Sequence, residues 1–366
     1  MNSFGRLLRF SIYGESHGYH VGAVIDGVPA GVQLDLDLMR AALDRRRPGQ
    51  GRLTTARRET DEPHVRTGVL DGTTTGAPIH IEFANADTRS RHYDNIGKAP
   101  RPGHADYPAH VRHRGFNDHR GGGHFSGRLT APLVAAGAIA QQLLAAHGVQ
   151  VAAHLAQVGD VRGDVGEATV AQMRHSHVGG VIPTAFGELA DAMRHEAEAA
   201  RKDGDSIGSV VEFRAEGMPV GVGEPWADPL ESSLAHLLFA VPAVKGVSFG
   251  AGFAAATMRG SAHNDPWLPG PNGQLQAATN NAGGILGGHS TGLPIWGEVC
   301  VKPASSIFKP QSTVELATGT ATTLQIKGRH DPLIGIRAVP VVEAAVAFVL
   351  ADQLLCLLAS RGAWSP

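Results

Sequence analysis

The chain is nearly free of cysteine. Its 366 residues include two, Cys300 and Cys356. That excludes a disulfide framework and a cysteine-rich metal centre, and it fits a reducing cytosol. An excess of charge is also missing: 32 basic against 34 acidic residues leave a net charge of −2. The molecule as a whole is therefore not an electrostatic nucleic-acid binder, and any basic cluster must be read locally. No signal peptide is evident, because MNSFGRLLRFSIYGESHG carries charges and glycines and lacks a long apolar core. The most apolar stretch, Ala338–Ala359, is broken by Glu343, Asp352 and Gln353, so a buried helix is expected rather than a membrane span. There is no low-complexity linker. These absences point to a cytoplasmic protein without a nucleic-acid or membrane partner.

What is present is glycine, 47 residues of it, set among Val, Ile and Ala runs. That composition indicates many tight turns and ligand-facing loops. The densest chemistry lies in Arg101–Arg128, RPGHADYPAHVRHRGFNDHRGGGHFSGR, with five arginines, five histidines and six glycines against two aspartates. Arginine offers a planar fork of donors to anions. Histidine exchanges protons near neutrality. The stretch suggests a site that grips an anion, such as a phosphate, and moves protons beside it.

Four segment pairs recur in the same order, about 190 to 230 residues apart. They are DGVPAGV (26–32) with EGMPVGV (216–222), TTGAPI (74–79) with STGLPI (290–295), RPGHAD (101–106) with GRHDP (328–332), and GRLTAPLVAAGAIAQQLL (127–144) with IRAVPVVEAAVAFVLADQLL (336–355). We expect one unit, 1–366, built from two related halves at about 20–150 and 207–356. Strands are expected at Tyr19–Ile25, Ile79–Phe83, Ile207–Arg214 and Pro294–Val301. Helices are expected at Asp35–Arg46, Leu129–Gly148, Glu188–Asp203 and Pro229–Leu238. The strand-turn-strand segments favour an α+β fold with mainly antiparallel sheets.

Several motifs carry chemistry. GESHG (14–18) places Ser16 at the centre of a Gly-x-Ser-x-Gly pattern, which leaves a serine hydrolase open, although an apolar strand and not a helix follows. DRRRPGQGR (44–52) reads as an anion clamp. In RPGHAD, Asp106 can orient His104. NNAGGILGGHSTG (280–292) has neither the Gly-Lys-Ser/Thr of a phosphate-binding loop nor a dinucleotide fingerprint. Lys302 with Ser305 and Ser306 can hold a phosphate tail. GRHDPLIGIR (328–337) adds a carboxylate and two arginines. The histidines raise a metal site, but no HExxH or paired-cysteine pattern accompanies them.

Taken together, YGESHG, DRRRPGQGR, RPGHADY, NNAGGILGG, KPASSI and GRHDPLIGIRAVPVVEA resemble the chorismate synthase family, from Phe10 to about Leu355. The resemblance implies a β-α-β sandwich and a homotetramer. It implies a carbon–oxygen lyase that converts 5-enolpyruvylshikimate-3-phosphate to chorismate and phosphate by anti-1,4 elimination. That reaction is the last step of the shikimate pathway and requires reduced FMN without net redox change. Reducing equivalents are expected from outside the chain, from NADPH or a flavin reductase. By resemblance, His17, His104 and Asp331 handle protons: His17 at the reduced flavin, His104 at the leaving phosphate, Asp331 at the proton on flavin N5. Arg46 and Arg52 match positions assigned to NADP(H). Arg45, Arg128 and Arg337 match substrate-binding positions. The flavin segment maps onto His124, Phe125, Ser126, Pro242, Ala243, Gly287, Lys302, Pro303, Ala304, Ser305, Ser306 and Arg329. The family run GGGRSSARET is here GGGHFSGRLT, with His124 for arginine, Phe125 for serine and Leu129 for glutamate. Pro242 stands where some relatives have Asn. A drifted flavin- or anion-binding protein of the same fold, and a metal or serine hydrolase, are the alternatives.

Overall fold

Alternation of apolar and polar residues builds the first sheet. In HVGAVID, Val21, Ala23 and Ile25 are buried while His20 and Val24 are exposed. In IHIEFA, Ile79, Ile81 and Phe83 point to the same interior. A period of two puts one face of each strand in the core. The computed structural model describes the chain apart from residues 1, 50, 56–58, 87–96, 178–180, 271, 272, 274, 327–329 and 363–366.

The first half runs through β1 (Ser3–Phe4), β2 (Arg9–Gly14), β3 (His20–Asp26), helix α1 (Leu36–Arg46), β4 (His64–Thr67), the small hairpin β5 (Val69–Leu70) and β6 (Thr73–Thr74), and β7 (Ile79–Ala84). Helices α2 (Asp106–Arg112) and α3 (Thr130–Ala145) close it. The second half has β8 (Gln150–Val158), β9 (Val161–Arg162), α4 (Val170–His175), α5 (Ala190–Lys202), β10 (Ser209–Glu216), α6 (Leu230–Ala240) and β11 (Val244–Phe249). It continues through α7 (Gly260–His263), the hairpin β12 (Trp267–Pro269) and β13 (Leu275–Ala277), the hairpin β14 (Ile285–Leu286) and β15 (His289–Ser290), and β16 (Ile295–Val301). The hairpin β17 (Gln311–Val314) and β18 (Ala321–Leu324) and the long helix α8 (Gly335–Gly362) end it.

Two five-stranded antiparallel sheets result, ordered β1-β2-β3-β7-β4 and β11-β16-β10-β8-β9. Read from β9, the second order sets β8, β10, β16 and β11 where the first has β2, β3, β7 and β4, while the edge strands differ: β1 precedes β2 and β9 follows β8. DGVPAGV follows β3 and EGMPVGV follows β10. TTGAPI leads into β7 and STGLPI into β16. GRLTAPLVAAG opens α3 and IRAVPVVEAA opens α8. The helices lie between the sheets. α3 packs along α8 and onto β3 and β7, α8 packs onto β8 and β10, and α1 and α6 flank them. This is an α+β sandwich with helices as the inner layer.

Position in that layer explains composition. α3 is buried almost all round, as a helix without a polar face must be. α8 is long and apolar enough to cross a membrane, but most of that stretch is buried inside the fold. Its two carboxylates are paired. Glu343 binds Arg45 and accepts from Gln141 Nε2 at 2.9 Å. Asp352 accepts from the backbone N–H of Arg6, Leu7 and Leu8, each at 2.9 Å.

Candidate active site

The GESHG turn joins β2 to β3, so no helix follows Ser16. The Ser16 side chain is fully buried, and its backbone N–H donates to Gly123 O at 3.1 Å. A nucleophile elbow needs an exposed hydroxyl at a strand-to-helix turn, so this geometry does not support the hydrolase alternative. Gly121, Gly122 and Gly123 all have positive φ, at 61°, 88° and 51°. A Cβ at Gly121 would overlap the His17 ring, and one at Gly122 would stand 3.3 Å from the His104 ring. The triple glycine is thus the surface on which both histidines rest. Only residues without a side chain permit that approach.

The RPGHAD loop ends in α2. The Asp106 carboxylate accepts from Arg101 Nε at 2.7 Å, Arg101 Nη2 at 2.8 Å and the Arg101 backbone N–H at 3.0 Å. His104 Nδ1 lies 2.6 Å from Asp106 Oδ1. Burial pushes the Asp106 carboxyl up, but hydrogen bonds from Arg101 and His104 outweigh it and hold the group well below the usual carboxylate range. An ionised Asp106 favours a proton on His104 Nδ1, and Arg101 Nη2 lies 3.2 Å from His104 Nε2. The loop is tied to the KPASSI segment. Arg101 Nη1 donates to Ser306 Oγ at 3.2 Å, Ser305 Oγ donates to Gly103 O at 2.6 Å, and Lys302 Nζ donates to Ser305 Oγ at 2.8 Å.

Asp331 precedes α8. Its Oδ1 accepts from the Thr55 backbone N–H at 2.7 Å and its Oδ2 from Arg337 Nη1 at 2.8 Å. Arg337 Nε donates to Arg46 O at 2.9 Å. Beside Asp331, burial and the nearby Arg101 push the His330 imidazole down to about 4, against the pull of Asp331. His330 is therefore neutral at pH 7.

These groups share one cavity of about 880 Å³, a volume typical of small-molecule sites. Its wall includes Arg46, His104, His124, Phe125, Ser126, Arg128, Pro242, Ala243, Lys302, Pro303, Ala304, Ser305, Ser306, Asp331 and Arg337. Phe4, Phe10, Ile12, Leu237 and Val241 supply an apolar part. His17 stands behind Gly121 instead of in the wall itself. His124 Nδ1 donates to Gly14 O at 2.8 Å, so it braces the turn that carries His17. Phe125 is partly exposed at the wall.

Other expected residues are placed differently. Arg45 is held by Glu343 of α8, at a separate small pocket with His177. Adjacent residues on a helix do not share a face, so Arg45 and Arg46 line different pockets. Arg46 is 1% exposed, donating to Asp61, Thr130 and Gly127. It nevertheless lines the cavity, whereas Arg52 is exposed and outside the cavity wall. Gly287 lies on an exposed turn between β14 and β15, also outside the wall. Arg329 lies outside the described residues.

The sequence comparisons agree on one family, whose model, described as chorismate synthase, matches residues 8–355. The chain belongs to the chorismate synthase family. The chorismate synthase of Thermococcus kodakarensis is 45% identical over 98% of this chain and 98% of its own length. That of Chloroflexus aggregans is 44% identical over 100% of this chain and 98% of its own. A crystal structure of chorismate synthase matches with a TM-score of 0.75 at 24% identity, covering 97% of this chain and 93% of the other. It shares the fold. The chain is thus an enzyme of the chorismate synthase family, folded as its resemblance implied. Sequence reading gave His330 no role of its own and left out Thr55 and Asp61. Asp61 lies in ETDEP, which matches no motif. Only its buried arginine partners reveal it.

Proposed function

We propose that this enzyme converts 5-enolpyruvylshikimate-3-phosphate to chorismate and phosphate by anti-1,4 elimination, with reduced FMN as cofactor. The observation that supports it most is the meeting of the Arg101–Asp106–His104 set, the Asp331–Arg337 pair and Lys302–Ser305–Ser306 around one cavity. A substrate with two carboxylates and a phosphate needs such a wall. Removing a ring proton and a phosphate while forming a C=C bond needs a proton donor and a proton acceptor, but no net oxidant.

A doubly protonated His104 would give its Nε2 proton to the departing phosphate oxygen and keep its Nδ1–H on Asp106. Asp331, fixed by Thr55 and Arg337, would take up the ring proton released overall. Positioned proton transfer contributes about 10²–10⁴-fold, and fixed cations around a leaving phosphate add more. Lys302, Ser305 and Ser306 would hold a phosphate group. The residues present also fit a flavin: the glycine turn lets a flat ring approach backbone, and Phe4, Phe10, Phe125 and Leu237 give it an apolar wall. His17, resting on Gly121, would hold a proton at that ring. When bound, reduced FMN supplies transient electron donation that assists loss of phosphate. The cofactor would be reduced from outside, by NADPH or a flavin reductase, and the assembly would be a cytoplasmic homotetramer.

The test is anaerobic assay of the purified protein with dithionite-reduced FMN and the enolpyruvyl substrate. Stoichiometric phosphate and chorismate are expected, with none when FMN is omitted. A folded protein that releases no phosphate would overturn the proposal.

A further inference from the structure

Asp61 lies between Arg46 and Arg128, two residues of the cavity wall. Its Oδ2 accepts from Arg46 Nη1 at 2.5 Å and its Oδ1 from Arg128 Nη1. All three side chains are at most 2% exposed. Each arginine is anchored again. Arg46 Nε donates to Thr130 Oγ1 at 3.1 Å and Nη2 to Gly127 O at 2.9 Å. Arg128 Nε donates to Asn85 Oδ1 at 2.8 Å and Nη2 to Ala84 O at 3.0 Å. Three of the five N–H donors on each guanidinium are thereby used within the protein.

The triad carries one excess positive charge. By contrast, Arg101 and Arg337 each face their own carboxylate. Two guanidiniums this close repel each other in a low-dielectric interior, so a carboxylate between them decides whether they stay together. Asp61 has φ 50°, a conformation uncommon outside glycine but tolerated by aspartate. Burial pushes its carboxyl up, yet Arg46 and Arg128 outweigh that and keep it ionised.

We propose that Asp61 is a positioning residue that locks Arg46 and Arg128 into one cationic wall, and that this wall sets affinity for the anionic substrate. The role acts through the two arginines; Asp61 itself does not touch ligand. It rests on the proposed lyase function, and a probe that needs neither flavin nor turnover separates the two. Shikimate 3-phosphate carries a carboxylate and the phosphate, and its binding can be measured by calorimetry.

Asp61→Glu keeps the charge but lengthens the arm, so both arginines must shift. We expect its dissociation constant for shikimate 3-phosphate, and the KM for the full substrate, to rise about tenfold or more. We expect kcat to stay within about threefold. A purely structural ion triad would change melting temperature and leave KM alone. Should Asp61→Glu not fold, Arg46→Lys is the second variant: it keeps the charge and cannot bridge the same three acceptors, and the same loss of affinity is expected. Unchanged binding in a folded variant overturns the proposal, as does failure of both variants to fold, which would leave the triad a structural element only. If the unmodified protein binds no shikimate 3-phosphate, the lyase function falls and this inference with it. If it binds and the variants bind equally, only the role of Asp61 falls.

Discussion

Individual side chains in this enzyme are set by their neighbours more than by their own chemistry. His104 matters because Asp106 orients it, and Asp106 is ionised because Arg101 grips it on two nitrogens. An isolated histidine in a loop would not be poised in this way. His104→Ala removes the proposed proton donor without disturbing the Arg101–Asp106 pair. We expect kcat to fall about 10²–10⁴-fold, the range for loss of a general acid, while FMN affinity by fluorescence titration changes less than about threefold. A variant with near-normal turnover would refute the assignment. The place of His104 and Asp331 in the cavity wall agrees with the motifs RPGHAD and GRHDP that carried the family resemblance. The orientation of Arg45 was not legible in the sequence. Two neighbouring arginines look equivalent in sequence, and only the rotation of about 100° between adjacent helix positions sends one to Glu343 and the other to Asp61.

Elements were legible wherever periodicity was strong. The strand at Ile79–Phe83 alternates cleanly and is found at Ile79–Ala84. The helix expected from Asp35 begins at Leu36 with Asp35 as its cap, accepting from Asp37 N and Leu38 N. β8 went unread because QVAAHLAQV is buried along nearly its whole length, and alanine-rich runs without alternation do not distinguish strand from helix. α2 was missed because seven residues are too few for a 3.6 period. Within the helical layer, α3 and α8 meet at a glycine. A Cβ at Gly137 of α3 would overlap Cβ and Cα of Ala344 on α8, so the two helices touch through backbone. Although alanine is intrinsically the better helix former, Gly137→Ala should destabilise the protein by about 1–3 kcal/mol, the usual cost of overpacking. Urea denaturation measures it, and an unchanged or raised midpoint would show that the helices can separate without cost.

At the scale of the whole molecule, the sandwich buries charge and histidine between its sheets, and that links its stability to pH. Burial, reinforced by Arg45 and partly opposed by Glu343, pushes His177 down to about 4. Burial and Arg101 do the same to His330. Both sit in the connections that close the helical layer, one before α5 and one before α8. The unfolded chain takes up protons at these histidines near the ordinary imidazole value of 6.5, whereas the folded chain takes them up only near 4. Between those values the unfolded state binds more protons, so stability rises with pH and is lost as pH falls from about 6.5 toward 4. Each tenfold loss of proton affinity on folding corresponds to about 1.4 kcal/mol, so the two groups together can remove several kcal/mol, on the order of half the stability of an ordinary domain. The buried carboxylates do not produce this loss. Asp61, Asp106 and Glu343 are all held low, so their contribution is present above the ordinary carboxylate range and fades only below it. Unfolding free energy measured between about pH 7.5 and 4.5 should therefore fall steadily below about pH 6.5. His177→Gln, which cannot titrate and lies outside the cavity wall, should flatten that fall while leaving KM unchanged. A slope that is identical in the variant would place the acid sensitivity elsewhere.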